Sequence, residues 1–143
     1  MPNVLLPVDG SECSTRATEK LVEMLGRCNS PSRIDLLAVH LPVPRLPETT
    51  LASSEEMIQR YYAEECGRML APSRAVLDAA GASYAVHTRI GPIAENIVEQ
   101  AEQSQSDLIC MGTRGMTPLS NMLLGSVASR VLHLSRIPVL LVR

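Results

Sequence analysis

Five short apolar runs are spaced along the chain, and each but the last is followed by a turn signal and then a stretch of helical periodicity. The runs are Val4–Val8, Ile34–His40, Tyr84–Ile90, Asp107–Met111 and Ile137–Val142. Each is short enough for a strand; Val4–Val8 and Leu108–Met111 are continuously apolar and read as buried on both faces, whereas Tyr84–Ile90 carries His87 as a half-exposed strand would. The stretches between them carry apolar residues at spacings of three and four, the mark of helices with one buried stripe. Ala17, Leu21, Met24 and Cys28 form one such stripe, closed by Asn29-Ser30-Pro31. Ile93, Ile97, Val98 and Ala101 form another, and Val127, Val131 and Leu134 a third. Strands alternating with helices give an open parallel sheet with helices on both faces. Right-handed crossovers leave few topologies. The expected fold is therefore α/β and Rossmann-like, a single domain over residues 1–143 with strand order 3-2-1-4-5. The chain length of 143 residues suits one domain with a real core.

The remaining segments are less regular. Leu41 to Pro47 holds three prolines and is irregular. Ser53-Ser54-Glu55-Glu56 reads as a capping box opening a long helix. Pro72 interrupts that helix, so it either kinks there or restarts as a second segment, and Gly81 ends it. Pro7 has no N–H to give to a ladder and belongs at the end of its strand. Ser11 is the first N-cap candidate of the first helix and Ser14 the second.

The chemistry points to the fourth run. After it come Gly112 and Gly115, then nine residues, then Gly125-Ser126 at a helix start. Glycines let a backbone approach an anion closely. The first N–H groups of a helix are unpaired and sit at the positive end of its dipole, so a phosphate is held there. The Ser126 hydroxyl can add a hydrogen bond. The chain contains neither a G-x-x-x-x-G-K-[ST] loop nor a G-x-G-x-x-G fingerprint. Asp9 follows the first strand, and in the expected topology its loop faces the Gly112 loop across one crevice, where open α/β sheets bind ligands. Asp9 either accepts from a ribose hydroxyl or helps hold a cation, or it is a turn residue serving local N–H groups. Leu41, just past the second strand, can flank a planar base. His40 and His87 read most simply as strand side chains.

Other classes are disfavoured. The net charge is −2, Phe and Trp are absent, and the aromatic residues are Tyr61, Tyr62 and Tyr84. Neither a basic surface nor a base-stacking platform for nucleic acid is expected. No apolar run approaches the ~18 residues of a membrane span, and no signal peptide is visible at the start, so the chain reads as cytoplasmic, with no membrane insertion. Cys13, Cys28, Cys66 and Cys110 have neither paired nor metal-ligand spacing and read as buried, reduced thiols. Cys13 is the one placed where exposure, and hence a redox role, is conceivable. The last run is an apolar sheet edge with no charge before Arg143, which invites a homodimer through Ile137–Val142.

These residues together resemble the universal stress protein family, over essentially the whole chain. The carriers are Pro7-Val8-Asp9-Gly10-Ser11, Leu37-Ala38-Val39-His40, Gly91-Pro92-Ile93-Ala94-Glu95-Asn96-Ile97 and, most specifically, Met111-Gly112-Thr113-Arg114-Gly115 through Leu124-Gly125-Ser126-Val127. The resemblance implies the branch that keeps G-x-x-G, nine residues, G-[ST] and binds ATP or AMP, with or without Mg²⁺. It implies Pro7, Val8 and Asp9 along the adenosine and Leu41 against the adenine. Gly112 and Gly115 would lie under ribose and phosphates, Gly125, Ser126 and Val127 at the phosphate tail, and Met111 would be among the nucleotide-binding residues. Arg114 would pair with phosphate or point to solvent. Many family members place the proline of the third helix one position later than Pro92. The functions this implies are a nucleotide-binding regulator of the stress response, a slow ATP hydrolase, or a nucleotide-free dimeric interaction module.

Overall fold

Alternate side chains of the parallel strands enter two separate cores, one on each face of the sheet. Val4, Leu6, Ile34, Leu36, Ala38 and Cys110 face one way, and Leu5, Leu37, Val39, Ile109 and Met111 the other. The computed structural model describes residues 1–29, 31–44, 55–115 and 123–143. The elements are β1 (Asn3–Pro7), α1 (Glu12–Cys28), β2 (Arg33–His40), α2 (Glu55–Ala79), β3 (Tyr84–Ile90), α3 (Ile93–Gln103), β4 (Leu108–Gly112), α4 (Ser126–Leu134) and β5 (Val139–Val142). The sheet order is β3-β2-β1-β4-β5, as expected from the sequence. All neighbours are parallel, with Leu6 beside Leu36, Leu36 beside Val86, Leu5 beside Ile109 and Ile109 beside Val139.

The first core is closed by Leu21 of α1 and by Cys66, Leu70 and Leu77 of α2; the second by Ile97, Val98 and Ala101 of α3 and by Ala128 and Val131 of α4. Leu5, Leu6, Leu36 and Leu37 are fully buried. Each such side chain contributes about 1.5–3 kcal/mol relative to exposure. The central strands thus hold the sheet rigid, and their C-terminal ends present the loops.

Local rules explain most boundaries. Pro7 is the last residue of β1, and the next N–H, that of Val8, donates to the Leu37 carbonyl at 2.8 Å. Ser11 caps α1, its hydroxyl accepting from the Ser14 N–H at 3.2 Å. Gly81 closes α2 with φ +64°, and the Ala82 N–H returns to the Leu77 carbonyl.

The structure also corrects several readings. Helix α2 runs through Pro72 as one 25-residue element rather than restarting there. In α1 only the first half of the expected stripe is buried: Ala17 and Leu21 are inside, whereas Met24 and Cys28 are exposed. The buried face instead runs through Cys13, Ser14, Ala17, Thr18 and Leu21, with Val22 and Leu25 packed beside it. Small polar residues stand in that stripe because α1 packs closely on α2, where the Thr18 hydroxyl donates to the Ser73 hydroxyl at 2.8 Å. Cys13 is buried, not exposed. Strand β2 begins at Arg33 and carries Asp35, fully buried and hydrogen-bonded to His87 Nε2 at 2.8 Å. His87 is a side chain of a half-exposed strand, as expected, and it is also the partner of this buried carboxylate. Strand β5 begins at Val139, two residues later than expected, because Ser135 draws the chain into a turn: its hydroxyl donates to the Ile137 carbonyl and accepts from the Ile137 N–H. Ser53 and Ser54 of the expected capping box, and Arg45–Pro47 of the proline segment, lie outside the described residues.

Candidate functional site

The C-terminal ends of β1 and β4 are adjacent in the sheet, and their two loops form facing walls of one cleft. On the β1 side, Asp9 Oδ1 accepts from the Ser11 N–H at 2.9 Å, so one carboxylate oxygen is held by the turn. Gly10 has φ +83°, a conformation that suits glycine. Helix α2 rests on it: a Cβ there would lie 3.3 Å from the Met69 Cα.

On the β4 side, Gly112 ends the strand against Cys13, and the Thr113 N–H donates to the Val142 carbonyl at 2.9 Å. The Thr113 carbonyl in turn accepts from the Gly125 N–H, at 2.6 Å. That bond fixes where α4 begins relative to the end of β4. A Cβ on Gly125 would press on the Thr113 carbonyl oxygen and the Arg114 Cα, at 3.3 and 3.4 Å. Gly125 is the N-cap of α4 and supplies no side-chain hydrogen bond to it. The start of α4 is thus left without a side-chain cap, with a partial positive charge facing the cleft.

The cleft encloses about 640 Å³. Volumes of ~300–1,000 Å³ are usual for small-molecule sites. The sequence-predicted residues Pro7, Val8, Asp9 and Leu41 line it from one side. Met111, Gly112, Arg114, Gly115, Gly125, Ser126 and Val127 line it from the other. All eleven expected positions therefore share one cavity. Residues 116–122 of the long loop lie outside the described residues.

Sequence reasoning missed the third wall. Glu65, Arg68 and Met69 of α2 also line the cleft. No motif marks them, since their place depends on how α2 crosses the β1 loop. At the rim, His40 packs edge-on against Tyr61 and Tyr62, with ring centroids 5.8 Å from each. The Tyr62 hydroxyl accepts from the Val43 N–H at 2.8 Å, tying the segment after β2 to α2. Among the described residues no group of three His, Cys, Asp or Glu is placed to hold a metal ion.

The family model of universal stress proteins matches residues 1–143. The chain belongs to the universal stress protein family. Universal stress protein MJ0531 of Methanocaldococcus jannaschii is 32% identical over 142 residues, covering 98% of this chain and 81% of that protein. A universal stress protein of Mycolicibacterium smegmatis is 33% identical over 145 residues, but the chain spans only 45% of its length. The structure of hypothetical protein MJ0577 superposes with a TM-score of 0.77 at 26% identity, covering 99% of this chain and 94% of that one. Three structures under 25% identical share the fold and were solved with nucleotides: a universal stress protein with cAMP (TM-score 0.68), one from Archaeoglobus fulgidus with dAMP (0.64) and one from Arabidopsis thaliana with AMP (0.65). Each covers at least 99% of this chain and at least 90% of its own. Among the described residues no helix is long and apolar enough to cross a membrane.

Proposed function

We propose that this universal stress protein is an adenine-nucleotide-binding regulator of the cellular stress response, with ATP or AMP held between the β1 loop and the β4–α4 loop. The observation that carries this reading is the cleft itself. The Asp9 loop, the glycines after β4 and the uncapped start of α4 all open into one volume of about 640 Å³. The adenosine lies along Pro7, Val8, Asp9 and Leu41. Gly112 and Gly115 let the phosphates approach the backbone, Arg114 pairs with them, and the N–H groups after Gly125 with the Ser126 hydroxyl hold the tail. Relatives of the same fold bound to cAMP, dAMP and AMP support an adenine ligand.

The residues present fit Mg²⁺ only as a phosphate-borne ion. Magnesium with nucleotides typically takes one or two protein carboxylates plus phosphate oxygens and water. Among the described residues, Asp9 and Glu65 are the carboxylates lining the cleft. The described lining contains no lysine, and hydrolysis needs a positioned base and strong charge stabilisation. Turnover is accordingly expected below ~1 s⁻¹, under the range of working enzymes.

The chain is also proposed to form a homodimer through β5, whose Val139–Val142 residues are each only half-buried in the single chain. Light scattering giving the mass of one chain at all concentrations would remove the dimer from this picture.

Calorimetric titration with ATP and with AMP, with and without Mg²⁺, tests the ligand. Gly125→Asp places a carboxylate where the phosphate tail sits. Micromolar binding by the wild type, lost in Gly125→Asp, is expected. No heat from either protein at millimolar nucleotide would overturn the reading in favour of a nucleotide-free interaction module.

A further inference from the structure

Arg68 of α2 lines the same cleft as the glycine loop and the start of α4, although the G-x-x-G-x₉-G-S pattern requires nothing from α2. Its Nη1 lies 2.8 Å from Oε1 of Glu65, one helical turn earlier, and Glu65 lines the cleft as well. The Arg68 side chain is 73% exposed and that of Glu65 26%. The backbone sets this placement. The Arg68 carbonyl oxygen and the Met69 Cα lie 3.4 and 3.3 Å from where a Cβ on Gly10 would stand, so α2 sits directly on the loop that carries Asp9.

Among the described residues, the two arginines lining the cleft, Arg68 and Arg114, come from separate elements, and the carboxylates of Asp9 and Glu65 balance them in formal charge. An anionic ligand therefore gains most from an arginine that can leave its carboxylate. Arg68 is suited to this. Its bond to Glu65 is an exposed i,i+3 pair, and such pairs are weak. A phosphate chain offers a guanidinium more charge and two-pronged hydrogen bonding. Glu65 is the more buried partner and stays at the wall when the arginine swings.

Resting on the adenine-nucleotide reading above, we propose that Arg68 is an anion-reading residue of the site, exchanging Glu65 for the phosphate chain when nucleotide binds. Arg68 then favours ATP over AMP and AMP over adenosine, and Glu65 sets the affinity lower than the arginine alone would give. The exchange also links occupancy of the cleft to the exposed face of α2.

The test is calorimetric titration of ATP, AMP and adenosine into the wild type, Arg68→Gln, Arg68→Lys and Glu65→Gln. Thermal unfolding of each variant reports whether the fold is kept. Arg68→Gln should weaken ATP about tenfold, equal to about 1.4 kcal/mol, weaken AMP less, and leave adenosine unchanged. Arg68→Lys should fall between Arg68→Gln and the wild type. Glu65→Gln should tighten ATP several-fold, and it reads the same exchange from the other partner should Arg68→Gln fold poorly. An ATP affinity within threefold of the wild type in both Arg68→Gln and Glu65→Gln would overturn the proposal. Equal losses for ATP and adenosine in Arg68→Gln would overturn it too, since they would mean a packing role. A wild type that binds ATP while the variants behave alike removes only the role of Arg68. A wild type that binds none of the three ligands removes the nucleotide reading and this proposal with it.

Discussion

Asp9 Oδ2 lies 2.8 Å from the place a Cβ on Gly115 would occupy. The two residues come from the loops after β1 and β4, so this contact is where the walls of the cleft meet. The other Asp9 oxygen is held by the Ser11 N–H, which limits how far the carboxylate can swing. In Gly115→Ala the methyl group must displace either the carboxylate or the glycine loop. ATP affinity is expected to fall at least about tenfold, roughly 1.4 kcal/mol. The melting temperature should change little, because Gly115 is exposed and Asp9 half-buried. Titration beside a thermal melt checks both, and wild-type affinity would show that the loop yields freely.

Gly112 is crowded from the opposite side. A Cβ there would stand 2.9 Å from Cys13 Sγ and 3.0 Å from the Cys13 backbone carbon and oxygen. All of these atoms belong to buried residues, so Gly112→Ala overpacks the junction of α1 and β4. The expected loss is about 1–3 kcal/mol, read from urea denaturation midpoints. Adding Cys13→Ala should recover only part of it, because the backbone atoms remain. Complete recovery would mean that the thiol alone sets the clash.

Buried Asp35 and half-buried His87 form a polar pair on the α3 face of the sheet. Asp35 is fully buried, and its second partner, Arg33 Nη2 at 3.3 Å, has a side chain that is 55% exposed. Among the described residues, Asp35 Oδ2 has no hydrogen-bond partner. His87→Ala strips the carboxylate of its closest donor and is expected to cost about 1–3 kcal/mol. Replacing both residues, as Asp35→Leu with His87→Leu, should be less damaging than His87→Ala alone, because no buried charge is left behind. A double-mutant cycle in urea measures the coupling, and simple additivity would argue against it.

Burial pushes the Cys110 thiol up to about 11 from its ordinary 9.0. The folded state therefore keeps this proton at pH values where the unfolded chain has lost it. Stability from this group is complete below pH 9.0 and declines as pH rises towards 11. The loss reaches roughly 2–3 kcal/mol at the upper end. Denaturation at pH 8 and pH 10.5 should show a smaller drop for Cys110→Ala than for the wild type.

The thiols should also separate by reactivity. Cys28 is exposed, whereas Cys13, Cys66 and Cys110 are buried. Burial raises Cys66 as well, with the Glu65 carboxylate adding to the effect. A disulfide reagent at neutral pH is expected to modify one thiol rapidly and the others only on unfolding. Cys28→Ser should abolish the fast phase. Persistence of that phase would show that one of the buried thiols opens to solvent.

The order of strands and helices, the 3-2-1-4-5 topology and the meeting of Asp9, Leu41, Gly112, Gly115, Gly125 and Ser126 at one cleft were legible along the chain, whereas Pro7, Val8, Met111, Arg114 and Val127 were assigned to it by the family resemblance. The physical reason is that these features are local or nearly so. Strand and helix are written in periodicity, Ser11 and Gly81 act through their own backbones, and two loops at the C-terminal ends of neighbouring strands must meet wherever the strands do. Family resemblance added the adenine nucleotide, which periodicity does not contain.

Other features appear only in the assembled fold. Asp35 sits in an apolar run and is tolerated because His87, beside Leu37 on the neighbouring strand, reaches it diagonally on the same face of the sheet. Cys28 falls on the helical stripe of Ala17 and Leu21, yet it is exposed, because the face of α1 that packs on the core turns through Val22 and Leu25 instead. Arg68 and Glu65 carry no motif, and they reach the cleft because Gly10 lets α2 lie on the β1 loop. The sequence alone determined what each segment is and which loops meet. Which face of each helix meets which neighbour was left to the tertiary structure, because that depends on packing between residues far apart in the chain.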